Sequence, residues 1–256
     1  MVKLSIIIPV KNEGMNLRVM LRILRAVVEV PYEILVVHDD PDDDSLPVVR
    51  EFHERDPRIR AVYNQRGRGV PNAILGGVAA ATGEYVLIFI ADDAGPVLAI
   101  DEMLRLMDGG CDLVSCTRYA HGGRRLGGSP IGGFLSRLAN RLLCSVGGMV
   151  LTDATTGVKM VRRSVFERHI TLTAAPVGWA VAFELAIKAQ LAGLKLGEVP
   201  VVSVDRLYGG TSTFRLGQWT SEYLRWFIWG IWHLRRDRHR RSEKPVVRYC
   251  PSMEHR

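Results

Sequence analysis

Leu4-Ser5-Ile6-Ile7-Ile8-Pro9-Val10 is an apolar run that stops at a proline, and Leu17, Met20, Leu21 and Leu24 then recur at helical spacing before Pro31. A β-rich run followed by a helical period reads as strand and then helix. The alternation continues outward. Glu33 to Val37, Ile59 to Asn64 and Tyr85 to Ile90 are expected strands, with an alanine-rich helical segment from Asn72 to Ala81 before the last, and Asp112 to Cys116 adds a fifth. Near-continuous apolar strands interleaved with helices predict an α/β fold: an open, mostly parallel sheet with helices on both faces. Its chemistry is expected outside the carboxyl ends of the strands.

The second half is less regular. The glycine-rich segment from Arg118 to Pro130 reads as a mobile surface loop. A helix from Ile131 to Val146, a strand from Thr156 to Val161, a helix from Trp179 to Leu191 and a strand from Lys195 to Val204 follow without a linker, so residues 1–215 are expected to form one domain. The pattern changes over residues 216–256. Trp219, Tyr223, Trp226, Phe227, Gly230, Ile231 and Leu234 share one helical face, while Trp229 and Trp232 add aromatic bulk elsewhere. Such a helix either docks on the domain or lies at a membrane interface with its rings at headgroup depth.

The charge supports the second option. Of the net +7, a +5 excess falls between Arg235 and Arg256, directly after the tryptophans. Basic and aromatic residues also serve single-stranded nucleic acid, but here the rings follow helical spacing, so an anionic membrane surface is expected and nucleic acid is not. No stretch of about 18 apolar residues lacks charge, so no spanning helix is expected. The first residues read as a strand, not as a signal peptide. The apolar fraction of 47% suffices for a core, and the 25 glycines lack the three-residue period of collagen. Cys111, Cys116, Cys144 and Cys250 form no CxxC pair, which fits a reducing compartment better than a disulfide scaffold or zinc site.

Acids gather where strands end. His38, Asp39, Asp40, Asp42, Asp43 and Asp44 follow the second strand, and Asp92 and Asp93 follow the fourth. The first group is either a solvated turn or a holder of a ribose, base or metal. The second either caps the next helix or ligates a hard divalent cation that also binds phosphate oxygens. Arg66-Gly67-Arg68-Gly69 lies between them and allows close approach to an anion with charge-assisted contacts. Neither GxGxxG in a dinucleotide setting nor GxxxxGK[ST] occurs, which disfavours dehydrogenase and ATPase readings.

Taken in order, Ser5 to Glu13, Asp39 to Asp44, Gly67 to Asn72 and Ala91-Asp92-Asp93 resemble inverting glycosyltransferases of family 2. The resemblance is strongest to the dolichyl-phosphate mannose synthases and polyprenyl-phosphate glycosyltransferases. It continues through Arg118-Tyr119, Ser136 with Asn140, Asp153 to Gly157, Phe183-Glu184, Glu198-Val199-Pro200 and Arg206 to Gly209.

That resemblance implies a GT-A fold whose nucleotide-sugar half is about 1–117 and whose acceptor half is about 118–215. Pro9, Asn12, Glu13 and Asp39 would line the nucleoside pocket, with Arg68 and Asp92 beside the donor, which is GDP- or UDP-linked. A divalent metal, Mg2+ or Mn2+, would sit at Asp93, with Asp92 secondary, because Ala91 replaces the first acid of the family element. Gly132 stands where relatives carry an acceptor-phosphate arginine, a charge that Arg124, Arg125 or Arg137 would supply. Arg118 and Arg206 are expected on the acceptor phosphate, with Ser136 and Glu184 on the same side.

The chemistry expected on this basis is inverting transfer of a hexosyl unit to polyprenyl phosphate, at the cytosolic face of a membrane. A hydroxyl acceptor would instead need a carboxylate or histidine within proton-transfer reach, for which Asp153 is the candidate base or acceptor-orienting acid, while Glu184 would pair with an arginine; a turn cap for Asp153 and a helix-surface ion pair for Glu184 are the structural alternatives. Transfer to a saccharide and a non-catalytic nucleotide-sugar or lipid-binding protein are the alternatives. A homo-oligomer or a separate membrane-anchoring partner is left open.

Overall fold

The computed structural model describes residues 1–173, 175, 178–204, 216–237 and 246–247, with 216–219 described by backbone alone. The chain alternates β1 (Leu4–Pro9), α1 (Gly14–Val27), β2 (Tyr32–His38), α2 (Ser45–Arg55), β3 (Ile59–Tyr63), α3 (Val70–Ala80) and β4 (Tyr85–Ile88). A 3-10 turn, Gly95–Ala99, runs into α4 (Ile100–Asp108), then β5 (Leu113–Thr117), β6 (Arg124–Leu126) and α5 (Pro130–Leu142) with a π-helical turn at Leu143–Gly147. There follow β7 (Lys159–Arg162), α6 (Arg163–His169), α7 (Ala180–Leu191), β8 (Leu196–Pro200), β9 (Val202–Val204), α8 (Leu216–Arg236) and β10 (Val246–Val247).

Strand periodicity divides the core into two layers. Leu4, Ile6 and Ile8 of β1 pack with Leu17, Met20, Leu21 and Leu24 of α1 on one face. Ile7 turns to the other face and meets Ala73, Ile74 and Val78 of α3. Gly77 makes that second contact close, since a Cβ there would lie 2.5 Å from Ile7 Cγ2. The described sheet has the order β10-β8-β5-β7-β4-β1-β2-β3. All its pairings are parallel except those of β7, which runs antiparallel between β4 and β5. The expected open α/β sheet is therefore present, with one reversed strand.

Two expectations for the second half are corrected. The glycine-rich segment is not wholly loop, because Arg124 to Leu126 pair in parallel with Val202 to Val204. The strand expected from Lys195 to Val204 is divided: β8 pairs with β5 up to Pro200, and β9 leaves to join β6 in a separate two-stranded sheet. Pro200 lacks the N–H needed to continue a ladder, which suits the break.

Helix α8 is docked on the domain by one face and exposed on the other. Trp226 and Leu234 are buried, and a Cβ at Gly230 would lie 2.4 Å from Ile187 Cδ1 of α7, so one face is docked. Leu224, Ile228 and Trp232 remain exposed on the other. Among the described residues, no helix is long and apolar enough to cross a membrane.

Candidate active site

Strand β1 lies between β2 and β4, with Pro9 opposite Val37 and Ile7 opposite Ile88, so the acids after β2 and β4 share the carboxyl edge of the sheet. Pro9 ends β1 on that edge, and Asn12 and Glu13 follow it in the turn into α1. Asn12 has φ +56, a left-handed conformation that asparagine tolerates. Its N–H donates to Asp43 Oδ2 at 3.0 Å, Glu13 N–H to Ser45 Oγ at 3.1 Å and Gly14 N–H to Asp44 Oδ1 at 2.8 Å. The acidic turn thus supplies acceptors to the unpaired N–H groups at the start of α1, and Asp43 and Asp44 are structural.

Asp39 is held differently. Its Oδ2 accepts from Gly69 N–H at 3.0 Å, joining the end of β2 to the start of α3. Arg68 is largely exposed and lies 3.7 Å from Asp40 Oδ2. The residues expected to bind the nucleotide therefore do gather on one edge.

The two acids after β4 differ from each other. Asp93 is 3% exposed; its Oδ1 accepts from Gly95 N–H at 3.0 Å and Val204 N–H at 2.9 Å, and its Oδ2 accepts from the Ser203 hydroxyl. It joins the turn after β4 to β9. Asp92 is half-buried. Asp93, expected to lead in metal binding, has most of its acceptor capacity used by these donors, and Asp92 is the more accessible carboxylate. Among the described residues, no group of three or more His, Cys, Asp or Glu is placed to hold a metal ion. Mg2+ is commonly held by one or two carboxylates plus substrate phosphates, and Asp92, with support from Asp93, fits that partial mode.

Residues 118–155, in the half expected to take the acceptor, contain a buried polar cluster. Arg118, just after β5, donates from Nε to Asp153 Oδ2 at 2.7 Å and from Nη2 to Asp153 Oδ1 at 3.1 Å and Thr155 Oγ1 at 2.7 Å. Asn140 of α5 donates to Asp153 Oδ1 at 3.2 Å and Thr155 Oγ1 at 3.1 Å. Ser136 Oγ lies 2.7 Å from Thr155 Oγ1 and accepts from Tyr119 OH at 2.9 Å. The Tyr119 ring is flanked by Arg118 and Arg137, with guanidinium carbons 5.1 Å and 5.2 Å from its centroid. Arg118, Ser136, Arg137 and Asp153 therefore converge as expected.

Asp153 is completely buried. Burial would raise its pKa, but the charge and hydrogen bonds of Arg118, the Thr155 hydroxyl and the Lys159 charge outweigh it and hold the carboxyl below the usual range. Such a group is a poor general base, and of the two expected roles the geometry suits the orienting acid, with Arg118 as the group it holds. Arg124 is exposed on β6, and Arg125 lies beside the first turn of α5, where a Cβ on Gly133 would be 3.3 Å from its Nη1. Gly132 donates its N–H to Ser129 Oγ, the N-cap of α5, at 3.2 Å.

Glu184 forms the helix ion pair that was its structural alternative, though buried, with Lys188 four residues on. It is buried on α7, where its Oε1 accepts from Thr173 N–H, Thr173 Oγ1 at 2.8 Å and Lys188 Nζ at 2.6 Å. This arrangement ties α7 to the preceding segment and does not join the Arg118 cluster. Arg206 lies outside the described residues.

Three features were given no role by the sequence reading, although Glu198 stands in one of its motifs. Glu198 on β8 and Lys159 on β7 are fully buried beside Asp153. Burial pushes the Glu198 carboxyl up to about 7 and the Lys159 amine down to about 8. The available signal was one charge within each apolar strand. The third is α5, whose Ile131, Phe134, Leu135, Leu138 and Leu142 stay exposed although they follow helical spacing.

The sheet order, with helices on both faces and acids at the carboxyl edge, is that of a GT-A fold. Residues 5–170 match the family model "Glycosyl transferase family 2", and the chain belongs to that family. It is 28% identical to a dolichol-phosphate mannosyltransferase of Pyrococcus furiosus over 87% of this chain and 62% of the relative. It is 29% identical to an undecaprenyl-phosphate 4-deoxy-4-formamido-L-arabinose transferase of an Enterobacter species over 81% of this chain and 61% of that one. The chain thus spans less than two thirds of either relative. Among solved structures, glucosyl-3-phosphoglycerate synthase from Mycobacterium tuberculosis, in complex with Mn2+, UDP and glucosyl-3-phosphoglycerate, superposes with a TM-score of 0.68 at 18% identity, covering 90% of this chain and 80% of that one. That likeness establishes the fold.

Proposed function

We propose that the protein transfers a hexosyl unit, with inversion, from a GDP- or UDP-linked sugar to a polyprenyl phosphate at a membrane surface. The observation that carries this reading is the two-faced helix α5. Ser136 and Asn140 point from it into the Arg118–Asp153 cluster, while Ile131, Phe134, Leu135, Leu138 and Leu142 are exposed. A phosphate held by arginines beside an outward apolar stripe suits an acceptor whose charged head is attached to a hydrocarbon chain. The outer face of α8 adds Leu224, Ile228 and Trp232, with Arg236 stacked on Trp232 at 5.3 Å. Both the Pyrococcus and Enterobacter relatives carry names with a polyprenyl-phosphate acceptor.

A phosphate monoester has a second pKa near 6 and is largely dianionic at neutral pH. It needs orientation and charge screening more than proton removal. The Arg118 guanidinium, fixed by Asp153 and Thr155, is preorganised to hold non-reacting phosphate oxygens while one attacks the anomeric carbon opposite the leaving diphosphate. Asn12, Glu13 and Asp39 would orient the nucleoside at the carboxyl edge. A divalent cation at Asp92, with Asp93 behind it, would supply charge stabilisation to the departing diphosphate. The cytosolic face is the proposed location, in keeping with the free Cys111, Cys116 and Cys144.

Incubating the purified protein with labelled GDP- and UDP-sugars, polyprenyl phosphate and Mg2+ or Mn2+ tests this reading. A labelled lipid-phosphate sugar in the organic extract is expected. A water-soluble labelled saccharide, or donor binding without turnover, would overturn it.

A further inference from the structure

Glu198 has no solvent exposure, and its two oxygens have different surroundings. Oε1 accepts from Thr152 N–H at 2.6 Å, Thr152 Oγ1 at 2.9 Å and Asp153 N–H at 3.2 Å. Oε2 is buried with no hydrogen-bond partner among the described residues, and it lies 3.9 Å from Nε2 of His121. His121 belongs to the glycine-rich segment between Arg118 and β6, and its backbone has φ +56. An unsatisfied buried carboxylate oxygen is costly, and its persistence calls for a physical reason.

We propose that Glu198 is a positioning residue that links the Arg118–Asp153 clamp to the glycine-rich segment. Oε1 fixes the Thr152–Asp153 peptide that aims Arg118, and Oε2 takes the imidazole N–H of His121 when the acceptor phosphate draws that segment inward. A closing movement of about 1 Å brings the pair from ion-pair to hydrogen-bond distance. Phosphate capture and loop closure then occur together. This coupling rests on the acceptor site proposed above.

The titratable groups facing Glu198 come from several elements. Asp153 lies before β7, Lys159 within it, Cys144 in the π-helical turn and His121 in the loop. Burial and the Asp153 charge favour protonation of Glu198, while the Thr152 and Asp153 donors oppose it. The ionised oxygen is the better acceptor for His121, so the linkage strengthens as pH rises through neutrality.

Glu198→Gln and His121→Gln, singly and together, test the coupling through acceptor kinetics. Each single variant is expected to raise acceptor KM about tenfold while kcat and donor KM stay within about twofold. The double variant should be no worse than the worse single. The ratio of acceptor KM in Glu198→Gln to that in the wild type should grow from pH 6 to pH 8, since the phosphate's own ionisation cancels. Additive effects or a flat ratio would overturn the proposal.

A measurement free of any acceptor is the NMR chemical shift of the His121 ring, assigned with His121→Gln. Removing the carboxylate 3.9 Å away should move those ring resonances in Glu198→Gln, and unchanged resonances would overturn the coupling. If no phosphate acceptor is used at all, the proposed function fails while this comparison still decides whether the two residues interact. Should Glu198→Gln not fold, His121→Gln decides the kinetic question alone, because that side chain is on a loop and partly exposed. An unaltered acceptor KM in it would overturn the proposal.

Discussion

Arg118 grips Asp153 in a two-pronged pair, Nε to Oδ2 at 2.7 Å and Nη2 to Oδ1 at 3.1 Å, with the carboxylate fully buried and the arginine side chain 14% exposed. Removing one partner of such a pair strands the other, at a typical cost of about 3–5 kcal/mol. Asp153→Asn is therefore expected to lower unfolding stability by an amount of that order and to raise acceptor KM more than donor KM. Arg118→Lys should impair acceptor use as well, because an ammonium does not reproduce the planar fork. Denaturant titration and two-substrate kinetics check both. The pair's stabilisation should persist above the ordinary aspartate range and decline as pH falls below about 4, since the folded-state pKa is depressed.

Glu198 predicts the opposite slope. Its carboxyl is raised from 4.5 to about 7, so the folded protein binds more protons than the unfolded chain in that interval. Stability should fall as pH rises from about 4.5 to 7, by on the order of 3 kcal/mol from this group alone. Glu198→Gln should flatten that decline. Thermal unfolding across the interval measures it, and equal slopes in wild type and variant would contradict the assignment.

Asp92 and Asp93 should separate by phenotype. Asp92→Asn is expected to raise the half-saturating Mg2+ or Mn2+ concentration for turnover about tenfold with little change in melting temperature. Asp93→Asn disturbs acceptors for Gly95, Ser203 and Val204, and it should lower stability by about 1–3 kcal/mol. Metal titrations beside melting curves decide the matter.

The outer stripe of α5 should matter for lipid but not for folding. Phe134 and Ile131 are 67% and 64% exposed, so Phe134→Ser and Ile131→Ser remove little buried contact. Stability should change by no more than about 0.5 kcal/mol, while sedimentation with anionic vesicles should fall severalfold. Unchanged vesicle binding would contradict a lipid-facing role.

Most of the sheet was legible because apolar strands buried on both faces announce themselves, as Ile6 to Ile8 and Ile34 to Val37 do. The direction of β7 was not, since Lys159 to Arg162 would read alike in either orientation. Nor was the pairing of Arg124 with Val202, which joins residues distant in sequence across a segment whose glycines suggested freedom. In the site, the motif order brought Arg118, Ser136 and Asp153 together correctly. What it missed was how charges are used once buried: Asp93, Asp153 and Glu184 each spend oxygens on internal donors, and Glu198, although within a quoted motif, gave no sign that it would lie buried beside Asp153. The α5 stripe was visible as a pattern, but a helical apolar pattern ordinarily signifies core, and only the coordinates place it outside.

The contact of Gly230 with Ile187 leaves no room for a side chain between α7 and α8. The outer residues of α8 consequently cannot swivel independently of the body of the molecule. If they rest on a planar surface, as proposed, that surface would receive the protein at one preferred tilt, and the helix would act as a keel.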